Sequence, residues 1–203
     1  TAKPNIYGSI AAKWAGIKKI YPTVNGLGYA FTGNSTKNKI VRAVICMLYK
    51  WAFSGATKVF FQNSDDAAEL VRRGVLPQEK CVVIAGSGID LNAFPYSETY
   101  QENTFFLATR LLITKGVRTY FEAAKIVKEK HPEAKFYLAG SLDPNPDGIK
   151  KDELDQYVQD GTVEYLGVVK DMPAVLKEYA VFVLPSYYRE GVPHAILEAM
   201  STG

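Results

Sequence analysis

Cysteine and histidine are scarce in this chain. Cys46 and Cys81 stand far apart in apolar runs and form no Cys-x-x-Cys motif. They read as buried free thiols of a reducing compartment. His131 and His194 are too isolated to build a metal cage. No uninterrupted apolar run reaches the ~18 residues of a spanning helix, and no secretory-signal pattern is present. Repeats and low-complexity tracts are also missing. Charge of one sign is not in great excess: the net charge is +3, with a pI near 8.7. That balance gives no reason to expect nucleic acid as a partner.

What is present is a well-supplied core. Hydrophobic residues make up 47% of the 203, which excludes a disordered chain and allows two domains of ordinary size. The chain opens Thr1-Ala2-Lys3, without a methionine. It stops at Gly203 directly after a helix, where a doubly wound sheet normally continues. We expect a piece of a longer protein, cut at both ends.

From residue 104 onward the pattern alternates. Strands are expected at 104–108, 135–139, 162–166 and 180–184. Helices are expected at 117–130, 150–159, 171–177 and 193–202. Short links between them imply a parallel α/β sheet with right-handed crossovers. Upstream we expect a helix at 6–17, strands at 20–24, 58–62 and 80–85, and a helix after Asn63 or Ser64 that stops at Gly74. Residues 25–31 form a glycine-rich turn. The apolar segment 37–53, with Lys37, Lys39, Arg42 and Lys50, reads as a helix packed on the sheet or as a basic, aromatic surface touching an anionic bilayer. The polar run 98–103 lacks periodicity, so the boundary is placed near residue 95, giving domains 1–94 and 95–203. Residues 143–148 read as a turn cluster.

The most informative stretch is Pro185-Ser186-Tyr187-Tyr188-Arg189-Glu190-Gly191-Val192-Pro193, followed by Leu197-Glu198-Ala199-Met200. It joins a buried strand to a helix N-terminus through a loop. In an open parallel sheet this is the ligand-binding edge, and N–H groups at the helix start suit a phosphate. Glu190 stands just before the helix and Glu198 about 8 Å along it. Two such carboxylates could hold a sugar at one end and a ribose at the other. Arg110 and Lys115 bracket the loop after the first strand of the second domain. First and fourth strands are neighbours in the usual order, so this loop is expected opposite the Glu190 loop. A planar fork and a point charge together suit a diphosphate. Gly140 and Gly167 end strands on the same edge, as turn glycines or as a border for a base.

These motifs resemble those of the GT-B, family-four retaining glycosyltransferases. The match is specific at 86–90 (Gly86-Ser87-Gly88-Ile89-Asp90), at 110–116 and at 185–200. Thr109 stands where the family usually has glycine. The resemblance implies two Rossmann-like domains, both incomplete here, with parallel sheets and flanking helices. It implies Glu190, Arg110 and Lys115 as the groups at the reacting sugar and diphosphate. Glu198, Gly191, Val192, Pro193 and Gly167 would bind the donor, with no metal and no cofactor beyond a UDP-sugar donor substrate. The implied reaction moves a hexosyl or N-acetylhexosaminyl group, with retention, onto a saccharide or a polyprenyl-diphosphate-linked acceptor. It closely suggests bacterial enzymes of surface polysaccharide or glycoprotein assembly, in the cytoplasm at the inner face of the membrane. A GT-B sugar-nucleotide epimerase and a non-catalytic nucleotide-sugar binding module are the alternatives.

Overall fold

A computed structural model describes residues 2–28, 31, 35–187 and 191–203. The chain divides into two compact units. One comprises Thr1–Gly88 with Tyr188–Pro193, the other Ile89–Tyr187 with His194–Gly203. Both are α/β, with parallel sheets and flanking helices.

The first unit holds helices α1 (Ala2–Trp14), α2 (Thr36–Phe53) and α3 (Ser64–Arg72) around strands β1 (Thr23–Val24), β2 (Val59–Phe61) and β3 (Cys81–Val83). The sheet order is β1-β2-β3, all parallel. Its core gathers Val24, Val59 and Phe61 from the strands with Ile6, Ile10, Tyr49, Phe53, Ala67 and Leu70 from the helices. Asn63 caps α3, its side chain accepting from the Asp66 N–H at 2.7 Å. The buried Asp66 carboxylate in turn accepts the Leu27 N–H at 3.2 Å, so the glycine-rich turn is tied to the α3 N-terminus. Tyr29 and Ala30 of that turn lie outside the described residues. The first helix starts four residues earlier than the sequence pattern indicates, because Pro4 falls in the first turn, where a missing N–H costs nothing. Gly16, at φ 74°, stands just past its end. Cys46 and Cys81 are free but only half-buried, against the full burial expected. Both pack on the edge of the core, and desolvation raises their thiol pKa.

The second unit follows the expected alternation: β4 (Gln101–Ala108), α4 (Val117–Lys130), β5 (Lys135–Ala139), α5 (Lys151–Gln159), β6 (Glu164–Gly167), α6 (Met172–Leu176), β7 (Tyr179–Phe182) and α7 (His194–Thr202). The order is β6-β5-β4-β7, so the first and fourth strands pair as expected, and the winding direction reverses at β4. Tyr120 anchors α4 to the sheet, its hydroxyl donating to the carbonyls of Phe105 and Tyr137.

β4 begins three residues earlier than the sequence reading. The segment 101–103 has no apolar periodicity because its side chains are exposed, while its backbone pairs with β7. Asn103, at φ 56°, marks an irregularity that shifts the register between Gln101 and Phe105. The unit division falls at Gly88 and Ile89, inside the Gly86–Asp90 motif and ahead of residue 95. Phe94 packs against the buried cluster of Phe106, Ala139 and Leu176 in the second unit, and the Ser97 N–H donates to the Thr202 carbonyl at 2.8 Å.

Candidate active site

The C-terminal ends of β4, β5 and β6 open onto a cleft of about 330 Å³. Thr109 and Arg110 follow β4 into it, Gly140 and Ser141 follow β5, and Val168 and Val169 follow β6. Ala195 and Glu198 close it from α7. Arg110 and Glu198, more than eighty residues apart in sequence, therefore line one cavity. A second cleft of about 370 Å³, beside β7 and α7, is lined by groups such as Phe106, Ile196 and Met200, with no acidic or basic side chain among the described residues that line it.

The cleft floor is stitched together by backbone. The Thr109 N–H donates to the Ala139 carbonyl at 3.0 Å, and the Gly140 N–H to the Gly167 carbonyl at 2.8 Å. The Tyr165 hydroxyl donates to the Gly140 carbonyl at 2.6 Å. Gly140 is compulsory: its φ is 140°, and a Cβ would run into the Thr109 carbonyl oxygen. Gly167, at φ 69°, has open space around its Cβ position, so it is constrained by conformation rather than room.

Arg110 and Lys115 lie on one short loop. Arg110 Nη1 sits 3.1 Å from the Asp143 carboxylate. Asp143 is fixed by the Asn145 backbone N–H at 3.0 Å. The Asn145 backbone and side-chain bonds, and then the guanidinium, hold its carboxyl below the usual carboxylate range. It stays ionised across neutral pH, and the pair weakens only in acid. Lys115 ends a 3₁₀ turn, Ile113–Lys115, and is half-buried. The turn is clamped on two sides. Thr114 donates through its hydroxyl to Asp147 at 2.6 Å, and the Ile113 N–H reaches the Asp147 carbonyl at 2.8 Å. On the other side, the Tyr187 N–H donates to the Thr114 carbonyl at 3.1 Å, and any Cβ on Gly116 would meet the Pro185 carbonyl oxygen. The Arg110–Gly116 loop and the start of the Pro185 stretch are thus neighbours.

Gly191, Val192 and Pro193 group with the first unit. The Val192 N–H donates to Gln62 Oε1 at 3.2 Å, and Gln62 Nε2 donates to Ser87 Oγ at 3.0 Å. A Cβ on Gly191 would clash with Gln62 and with the Asn25 carbonyl. Glu190 lies outside the described residues. Sequence reasoning missed Gln62, Asp143 and Asp147. The two aspartates belong to a run, 143–148, read only as a turn cluster. The signal was their position after β5, next to the strand that carries Arg110.

A family model described as glycosyl transferases group 1 matches residues 102–203. The chain belongs to that family. Among curated glycosyltransferases, it is 35% identical to an N,N'-diacetylbacillosaminyl-diphospho-undecaprenol alpha-1,3-N-acetylgalactosaminyltransferase of Campylobacter jejuni, over 99% of this chain and 55% of the relative. It is 30% identical to a UDP-Gal:alpha-D-GlcNAc-diphosphoundecaprenol alpha-1,3-galactosyltransferase of Escherichia coli, over 100% of this chain and 54% of the relative. The chain thus spans about half the length of the curated relatives it matches. Among solved structures, Anabaena HepE in complex with UDP-glucose superposes with a TM-score of 0.75 at 19% identity, over 99% of this chain and 56% of that one. A sucrose-phosphate synthase from Thermosynechococcus elongatus superposes with a TM-score of 0.67 at 20% identity, over 95% of this chain and 56% of that one. At such identities the likeness speaks for the fold, which is of the GT-B type.

Proposed function

We propose that the protein to which this chain belongs transfers a hexosyl or N-acetylhexosaminyl group from a UDP-sugar to a saccharide carried on a polyprenyl diphosphate, with retention. The observation that carries this reading is the convergence of Arg110 and Glu198 on one cleft at the strand ends where the sheet reverses direction. The curated relatives are named for undecaprenyl-diphosphate-linked acceptors, which favours the same acceptor class here.

In this reading Glu198 accepts hydrogen bonds from the ribose hydroxyls, a task for an acceptor-only group. The base lies by Gly140 and Gly167. Arg110 and Lys115 meet the diphosphate. When the glycosidic bond to the nucleotide breaks, negative charge develops on the departing UDP, and the two cations stabilise it in place. Glu190 orients the sugar, with Gly191, Val192 and Pro193 shaping the loop beside it. The Val192 N–H is already engaged by Gln62, so Gln62 sets the path of that loop. No metal or further cofactor enters the proposed step.

The test is nucleotide release by the full reading frame from a set of UDP-sugars, with and without a polyprenyl-diphosphate-linked saccharide. Transfer requires release that depends on the acceptor, and an α-linked product from an α-configured donor. Release without acceptor dependence, an epimerised donor or binding without consumption each contradicts it. Two variants probe the site by calorimetric titration with UDP. Glu198→Ala is expected to weaken binding about tenfold, by removing a charged hydrogen-bond acceptor; an unchanged affinity removes Glu198 from the ribose. Asp143→Asn is expected to tighten UDP a few-fold, because it releases Arg110 and removes a negative charge from beside the diphosphate. Weaker binding would show that Asp143 positions Arg110 rather than competing for it.

A further inference from the structure

The residues that follow Glu190 are held by a glutamine 130 positions away in the chain. Gln62 directly follows β2, and its side chain is buried, 7% exposed. A backbone N–H can only donate, so the amide oxygen faces Val192 and accepts its N–H at 3.2 Å. The amide nitrogen points the other way and donates to Ser87 Oγ, past the end of β3, at 3.0 Å. Both ends of this buried amide are therefore engaged, one by the loop and one by the neighbouring strand end.

The loop is fitted to this glutamine as well as bonded to it. A Cβ on Gly191 would stand 2.1 Å from Gln62 Oε1 and 2.4 Å from the carbonyl oxygen of Asn25, which follows β1. A Cβ on Gly86, past β3, would stand 3.0 Å from Val192 Cβ. Because β1, β2 and β3 are parallel, these contacts all come from one edge of one sheet. Gly191 and Val192 group with that sheet, while Arg110, Lys115 and Glu198 belong to the second unit. A leucine would fill much the same volume as Gln62. The amide does more, because it fixes a backbone N–H of the loop while Ser87 fixes the amide.

We propose that Gln62, held by Ser87, is the positioning residue for Glu190: by fixing the Val192 backbone two residues on, it sets where that carboxylate meets the donor sugar. Its effect falls on turnover and not on nucleotide affinity, which the reading above gives to Glu198, Arg110 and Lys115. The inference rests on that reading, in which Glu190 orients the sugar.

The test is a double-mutant cycle in the full reading frame. Its two readouts are transfer to a polyprenyl-diphosphate-linked saccharide and calorimetric titration with UDP. Gln62→Leu is expected to lower kcat about ten- to a hundredfold, the effect of a reacting group displaced by about 1 Å, and to change UDP affinity little. Ser87→Ala, which frees the far end of the amide, is expected to show a smaller loss of the same kind, and it replaces Gln62→Leu in the cycle should that variant not fold. Glu190→Ala is expected to lower kcat by itself. Because Gln62 acts through Glu190, adding Gln62→Leu to Glu190→Ala should lower kcat no further. A residue that only fills space would multiply its own loss onto that of Glu190→Ala. Such multiplication overturns the proposal. So does an unchanged kcat in both Gln62→Leu and Ser87→Ala, or a UDP affinity that falls in step with kcat. Glu190→Ala with unchanged turnover contradicts the underlying reading instead, so the two failures are told apart.

Discussion

On the proposed transfer reaction, replacing Lys115 with Ala in the full-length protein is expected to lower turnover by two to three decades. The group would stabilise charge that appears only as UDP departs. Removing one such preorganised electrostatic contact costs about 2.7–4 kcal/mol of transition-state stabilisation, which corresponds to that range of rate. Donor affinity should fall less than kcat, because the full charge is present only in the transition state. The fold should survive. The turn that carries Lys115 is held by the Thr114 hydroxyl on Asp147 and by the Tyr187 N–H on the Thr114 carbonyl, and neither bond is made by the lysine side chain. Steady-state kinetics with a saturating donor is the check. Unchanged turnover would remove Lys115 from the reacting diphosphate.

Gly140→Ala is expected to have the largest effect on stability. Its backbone is in a conformation open almost solely to glycine, and an added methyl would overlap the Thr109 carbonyl. Strain and forced backbone movement each cost about 1–3 kcal/mol. For a chain of this size, a loss of about 3 kcal/mol lowers the melting temperature by roughly 6–12 °C. The clash lies at the floor of the cleft, so UDP binding should weaken together with stability. Gly161→Ala is the control. It too has a positive φ, 72°, but nothing stands within 4 Å of its Cβ position, so it should cost less and leave UDP binding intact. Thermal melts and UDP titrations of both variants check this. Equal losses would mean that conformation alone, and not the fit of Gly140 against Thr109, governs the site.

The second unit could be read from sequence because its signals are local. α4 and β5 lie where periodicity put them, at 117–130 and 135–139, since each buries a regular set of apolar positions beside polar ones. The neighbouring places of β4 and β7 follow the usual strand order of a doubly wound sheet. What escaped depends on distance in sequence. Gln62 meets Val192 across 130 positions, and no local pattern announces a glutamine that fixes a remote loop. The polar start of β4 escaped because backbone pairing makes it a strand while its side chains stay in water. Asp143 and Asp147 escaped for another reason. Turn-forming residues were sufficient to explain their run, and the contacts to Arg110 and Thr114 exist only once β4 and β5 lie side by side. Arg110 was legible as a cation on the right loop, but its pairing with Asp143 was not.

The most direct measurement is a crystal structure of this chain with UDP. The account predicts the ribose hydroxyls on the Glu198 carboxylate and the diphosphate beside Arg110 and Lys115, with the Arg110–Asp143 pair opened or shared. UDP seated anywhere else, or in this cleft with its diphosphate turned away from both cations, would contradict it.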